Sequence, residues 1–130
     1  MNTKSNFEFG EEFKKRTKEF ALRVIKLFQA LPKTEEAKII GRQLIRSATS
    51  VASNYRASCR ARSNAEFYSK ISIVIEEADE SLFWIEMLEE AEIFPKEKLS
   101  KIKLEANEIV AIVVSIRTKL NKNKIKSKSL

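Results

Sequence analysis

Six polar side chains recur at spacings of four, three, four, three and four residues between Ile40 and Arg62. We call them the arginine stripe: Arg42, Arg46, Thr49, Ser53, Arg56 and Arg60. A helix brings residues three and four apart onto one side, so the stripe occupies one helix face. The opposite face is apolar and carries Ile40, Leu44, Ala48, Val51, Tyr55 and Cys59. Guanidinium groups pair with carboxylates and phosphates, so the pattern predicts a helix with one face suited to an anionic partner.

The arginine stripe has two interpretations, and we divide its members between them. In the structural one, Arg46, with Arg42 as a second candidate, reaches Glu77 or Glu80 on a neighbouring helix and fixes the helix register. In the functional one, arginines at the end of the helix contact phosphates together with the lysines of the C-terminal tail. The predicted nucleic-acid-binding residues are Arg56, Arg60, Arg62, Lys122, Lys124, Lys126 and Lys128.

The composition argues against the common catalytic sites, because the chain contains no histidine and only two glycines. Ser-His and Cys-His nucleophiles, Glu-x-x-His metal pairs and glycine-rich phosphate loops are therefore ruled out. A cation site among Glu76, Glu77, Asp79 and Glu80 would make a metal-dependent hydrolase, but such a run is more typical of a solvated or salt-bridged face. Cys59 is predicted to be a small buried apolar residue beside Tyr55. We expect neither enzymatic activity nor a cofactor.

Charge is unevenly distributed along a chain with a net charge of +7. Residues 63–92 hold nine acidic side chains and one basic one, whereas residues 93–130 hold ten basic and three acidic ones. Overall positive charge favours polyanionic partners, and the acidic block offers the arginines an internal partner.

Few helix breakers interrupt the apolar periodicity, which predicts an all-α protein with four helices. The first helix runs from about Phe7 to Ala30, before Pro32, and Thr34 caps the second. The sequence Ser63-Asn64-Ala65-Glu66 fits a capping box, so we end the second helix near Arg62 and begin the third there. The fourth begins after Pro95 and ends near Leu120. Short links between helices of this length indicate an antiparallel up-down-up-down bundle.

The fourth helix is apolar nearly all the way round between residues 109 and 116, where its β-branched side chains also allow a strand. Val110, Ile112 and Val114 lie off its main apolar seam, so we predict that a second subunit covers them. Asn54 is unfavourable within a helix, which suggests a hydrogen bond across the bundle or to a neighbouring subunit; a solvated side chain is the alternative.

The domain organisation predicted is one bundle over residues 1–120 and a basic, frayed tail over 121–130. The longest apolar run is far shorter than the ~20 residues of a membrane span. A lone cysteine and the lack of a secretory signal favour a cytoplasmic protein with no membrane partner.

The segment from Gln43 to Ala57 resembles the RS-x-x-S-(I/V)-x-x-N signature of the four helix bundle protein family. Ala61-Arg62-Ser63 with Phe67, and the segment 76–81 with Trp84, match the third-helix portion of that family. The family is also called the 23S ribosomal RNA intervening-sequence proteins, and it is similar to the accessory variability proteins of diversity-generating retroelements. The resemblance covers about residues 13–120.

The resemblance implies an antiparallel four-helix bundle that assembles as a homopentamer and has a basic surface proposed to bind nucleic acid. Most members have no assigned function. Many relatives carry an acidic residue and a glycine after the asparagine, where this chain has Arg56-Ala57. We therefore expect a non-enzymatic oligomer that binds RNA or DNA; the alternative is a protein-interaction scaffold that presents the acidic third helix.

Overall fold

A computed structural model describes residues 5–128, with side chains described for residues 5–123. Within this range all regular structure is helical and no strand occurs. The four helices are α1 (Asn6–Ala30), α2 (Glu35–Ser58), α3 (Asn64–Glu90) and α4 (Lys96–Lys128). In the described part of the chain, none of them combines the length and the apolar character that crossing a membrane requires.

Side-chain caps fix the starts of the first three helices. The hydroxyls of Ser5, Thr34 and Ser63 each accept a hydrogen bond from a backbone N–H three residues later. These bonds satisfy amide groups that have no partner within the first turn. Two of these caps, Thr34 and Ser63, were expected from the sequence.

The end of α2 lies earlier than the sequence analysis placed it. The helix ends at Ser58 with Cys59 as its C-cap, so Arg60 and Arg62 belong to the link between α2 and α3. The apolar and polar periodicity continues past Ser58, which is why the pattern alone extended the helix to Arg62. The arginine stripe therefore ends on the helix at Arg56.

α4 forms as a helix through the β-branched segment 109–116 and continues to Lys128. The helix thus extends beyond Leu120, where the sequence pattern ended it, since no proline or glycine interrupts residues 121–128. Lys124, Lys126 and Lys128, three of the predicted nucleic-acid-binding residues, have side chains outside the range for which side chains are described.

The helices pack as a bundle in which each contacts its two neighbours in the order α1, α2, α3, α4. The contact between α1 and α4 is the sparsest of the four. One apolar face of each helix forms a single core, whose largest fully buried side chains are Phe20, Leu44, Ile71, Ile85, Leu88, Leu99 and Ile109. Burying a side chain of this size stabilises the fold by about 1.5–3 kcal/mol.

Small residues allow α2 and α3 to pack most closely. Ser47, Ala48 and Ser81 are fully buried, and the Ser81 hydroxyl donates to Ser47 Oγ at 2.9 Å. Ser47 in turn donates to the carbonyl of Leu44 at 3.1 Å. A buried hydroxyl without a partner would cost about 1–3 kcal/mol. Both hydroxyls avoid this cost, since each also lies within hydrogen-bonding distance of a backbone carbonyl in its own helix.

An ion pair joins α1 to α4 where their packing is sparse. The Arg16 guanidinium donates to both carboxylate oxygens of Glu105 at 2.7 Å and also contacts Glu108. Hydrogen bonding from Arg16 lowers the pKa of Glu105 despite its partial burial, and the same bond raises the pKa of Arg16. A bidentate geometry fixes the relative position of the two helices.

We expect Glu105→Gln to lower the free energy of unfolding at pH 7 by about 1 kcal/mol, because Arg16 loses a charged partner. The folded-state pKa of Glu105 is depressed below the value of about 4.3 for an unfolded chain. This contribution is therefore fully present above that value and is lost as pH falls through the folded-state pKa. Urea unfolding between pH 7 and pH 3 should show the two stabilities converging, while Glu76→Gln, an exposed control, changes little. A constant gap down to pH 3 would contradict this account.

Gly41 lets α2 approach the end of α1. A Cβ added there would lie 2.5 Å from Phe28 Cδ2 and 2.9 Å from Leu31 Cδ1. We expect Gly41→Ala to destabilise the fold by roughly 1 kcal/mol, since overpacking costs about 1–3 kcal/mol and helix propensity returns about 1 kcal/mol. Gly10→Ala is the matched control, because its nearest atoms are 3.9 and 4.0 Å away, and it should stabilise the fold. Urea denaturation of both variants checks the opposite signs.

Candidate nucleic-acid interface

A groove of about 1120 Å³ opens at one end of the bundle. The first turns of α1 form one wall and the second half of α4 forms the other, while the α2–α3 link closes the end. We call it the end groove. It lies between α1 and α4, the neighbouring helices whose mutual contact is the sparsest in the bundle.

Cations gather around the end groove. Arg62 and Lys119 line it directly. Arg56 lies in the last turn of α2, Arg60 on the same link as Arg62, and Lys122 one turn beyond Lys119 on α4. All five side chains are exposed. Four of the seven predicted nucleic-acid-binding residues therefore lie at the same end, and Lys119 is an addition that the sequence analysis missed.

These cations have few carboxylate partners. Arg62, whose side chain is 90% exposed, lies 3.8 Å from Glu66, and an exposed pair of this kind contributes little to stability. Neither Arg56 nor Arg60 forms an ion pair with any described residue. On the α3 side the cause is visible in the sequence, since Glu66 is the only carboxylate between residues 63 and 75. The first turns of α1 bring Glu8, Glu11 and Glu12 to the same end.

Arg46 differs from the arginines at the helix end. Its Nη1 lies 3.2 Å from Glu77 Oε2, and its Nη2 contacts Glu80 on the same helix α3. It also lies within hydrogen-bonding distance of Gln43. This is the arrangement that the structural interpretation of the arginine stripe describes. Arg42 makes no such pair with Glu77 or Glu80 among the described residues.

Aromatic side chains form the floor of the end groove. Phe9 stacks on Phe13 with ring centroids 5.8 Å apart, and Phe13 meets the buried Tyr55 edge-on at 4.8 Å. Burial raises the pKa of Tyr55 above its ordinary value. Cys59 lines the same groove and is exposed, so the prediction of a buried thiol is wrong. The helix ends one residue before Cys59, which releases it from the apolar seam.

Asn54 does not bond across the bundle. Its amide donates to the backbone carbonyl of Ser50 at 3.0 Å and to the Ser50 hydroxyl at 2.9 Å, one turn earlier in α2. A side chain of this length finds a local partner in its own helix, so no partner on another helix is required. The polar contacts that do cross from α2 to α3 include the one between Ser47 and Ser81 and those of Arg46 with Glu77 and Glu80.

The three residues predicted to meet another subunit divide between two environments. Val110 and Ile112 are partly buried against the protomer's own core, and Ile112 also lines the end groove. Val114 is 37% exposed, and Leu104, which the sequence analysis did not single out, is 60% exposed. The apolar surface of α4 left outside the core therefore centres on Leu104 and Val114.

The acidic side chains of α3 do not converge. Glu77 and Glu80 turn toward Arg46, whereas Glu76 and Asp79 are exposed. Among the described residues, no three acidic or cysteine side chains meet in a group that could hold a metal ion.

Comparisons with known proteins agree with this architecture. The model of the 23S rRNA-intervening sequence protein family matches residues 11–115. A crystal structure of a protein of unknown function, from the S23 ribosomal protein family of Bacteroides thetaiotaomicron, is similar with a TM-score of 0.77. The two sequences are 30% identical, and the match covers 84% of this chain and 97% of the other. No curated protein matches. The chain therefore belongs to the 23S rRNA-intervening sequence protein family.

Proposed function

We propose that this chain is a non-enzymatic, oligomeric protein that binds structured RNA or DNA mainly through phosphates at the end that carries the end groove. The observation that carries the proposal is that five exposed cations, Arg56, Arg60, Arg62, Lys119 and Lys122, lie at this end of the bundle and outnumber the carboxylates there, Glu8, Glu11, Glu12 and Glu66. Phosphate contacts by such residues give affinity with little dependence on base sequence.

The proposed architecture is an antiparallel up-down-up-down bundle that assembles as a homopentamer. Support for the antiparallel order comes from α1 and α2: Gly10 lies beside Cys59, while Gly41 lies beside Phe28. Support for assembly comes from the outer face of α4, which carries Leu104, Asn107, Val114 and Thr118 and no charge at these positions. The number five is what the family resemblance implies. Repetition of a +7 protomer would let weak contacts add through multivalency.

An alternative function, a protein-interaction scaffold, is favoured by one observation on α3. Phe83 is 50% exposed on the same outer face as Glu76, Asp79 and Glu86. An apolar side chain framed by carboxylates suits a basic protein partner. Under this alternative, nucleic acid would not bind at any salt concentration, and Phe83→Ala would release a protein partner recovered from cells.

We expect the double variant Arg56→Glu/Arg60→Glu to weaken binding to a labelled RNA hairpin by at least tenfold. Binding of the wild type should also fall with salt, because each neutralised phosphate releases counterions. With about four phosphate contacts, the loss between about 50 and 200 mM salt is roughly a hundredfold. Fluorescence anisotropy titrations at several salt concentrations measure both effects.

The matched control is Lys33→Glu/Lys101→Glu, which changes the net charge equally at two exposed positions away from the end groove. Equal weakening by both pairs would mean that overall charge, and not this surface, attracts the hairpin. An affinity independent of salt would contradict phosphate binding altogether.

Oligomerisation through the outer face of α4 should be sensitive to charge at Val114. We expect Val114→Lys to shift the molar mass in light scattering from the oligomer toward the protomer, because a charge would be buried at the contact. Leu22→Lys alters an apolar residue on α1 that is 52% exposed, and it should leave the mass unchanged. A wild-type protein that is already monomeric would remove the assembly from the proposal.

A further inference from the structure

The end groove differs from a surface that contacts phosphates alone, because exposed aromatic rings lie beside its cations. We propose that it binds a short run of unpaired nucleotides, with bases packed against Phe7 and Phe9 and backbone phosphates at Arg62 and Lys119. This inference rests on the proposed nucleic-acid function and specifies its ligand as a single strand or the loop of a folded RNA.

Phe7 and Phe9 both remain exposed among the described residues, although one of them packs against a neighbouring ring. Phe7 is 76% exposed and Phe9 is 39% exposed, and both line the groove near the start of α1. One face of Phe9 already stacks on Phe13, with an interplanar angle of 13°. Stacking on such rings holds unpaired bases without requiring a particular sequence, since every base has a π-face.

Amide side chains surround these rings. Asn6, Asn64 and Asn123 all line the groove, and they come from the starts of α1 and α3 and from the end of α4. Each side-chain amide offers donors and an acceptor, which is what the exposed edge of an unpaired base requires. A purely apolar docking surface for a protein helix would not have three amides in its lining.

The charge in the groove matches a phosphodiester backbone. Arg62 and Lys119 contribute two positive charges, and Glu11 is the only acidic residue that lines it in the described part of the chain. The Glu11 carboxylate lies 2.9 Å from Lys14 Nζ, so its charge is compensated. A strand lying between the two cations would meet Arg62 at the closed end and Lys119 on the α4 wall.

The size of the groove and its floor favour unpaired nucleotides over a duplex. Its volume, about 1120 Å³, exceeds the range of roughly 300–1000 Å³ for sites that take one small ligand. A duplex keeps its bases stacked inside and presents phosphates to the protein, so it would satisfy the cations but leave Phe7 and Phe9 uncovered. A single strand can satisfy both.

The test compares two fluorescein-labelled probes bound to the full chain: an oligouridylate of about 12 nucleotides and an RNA duplex of the same length. The variant is Phe7→Ala/Phe9→Leu, which removes the rings and keeps an apolar residue against Phe13. We expect it to weaken single-strand binding by about tenfold or more and duplex binding by less than twofold. Phe7→Ala alone changes a side chain that is 76% exposed, so it tests the same idea without a risk to folding.

Phe83→Ala is the matched control, since it removes a ring that is 50% exposed on α3 and away from the groove. It should leave both affinities unchanged.

The groove proposal fails if the Phe7/Phe9 variant binds both probes like the wild type, or if both affinities fall equally. It also fails if light scattering shows that this variant loses subunits, which would make the groove a contact between copies. If the wild type binds neither probe, the proposed function fails. If Arg56→Glu/Arg60→Glu weakens the binding of both probes while the Phe variants weaken the binding of neither, the groove assignment fails and the proposed function stands.

Discussion

The uneven distribution of carboxylates along α3 decides which arginines of α2 stay accessible to a ligand. Glu77 and Glu80 lie where α3 passes Arg46, and they hold its guanidinium. The first part of α3, beside the end of α2, carries Glu66 alone. Arg56, almost three turns later along α2, therefore finds no comparable partner on α3. The same element that stabilises the middle of the bundle leaves its end positively charged.

Helix periodicity and capping residues predicted the fold because both depend on local sequence. Apolar residues at spacings of three and four identified the buried faces, and Thr34 and Ser63 marked two helix starts. The pairing of Arg46 could be predicted for a related reason, because a cation in the middle of a helix needs an anion on the neighbouring helix. Even so, the pattern could not show where α2 ends, since an apolar position in a link looks the same as one on a helix.

Other features escaped the sequence because they depend on distances between helices. Asn54 has a partner within reach in its own helix, Ser50 one turn earlier, but the sequence does not show whether α3 lies near enough to offer another. Cys59 belonged to the apolar series in the sequence, but the helix ends before it and it is exposed. The end groove arises from the separation of α1 and α4, and no periodicity in either helix reports that separation. The clearest available signal was Phe7, an aromatic residue placed before the first buried position of α1.

α4 serves two surfaces that lie on different sides of the same helix. Ile112, Ile116 and Lys119 line the end groove on the side that faces α1. Leu104, Asn107, Val114 and Thr118 lie on the outer side. Because successive residues on a helix are rotated by about 100°, residues 112 and 114 point in clearly different directions. A contact between subunits on the outer side would thus leave each groove open, and assembly would multiply the binding sites instead of covering them. The apolar residues nearly all round α4 then have a physical explanation. One side of the helix completes the core, a second side suits a neighbouring copy of the chain, and a third side forms a wall of the end groove.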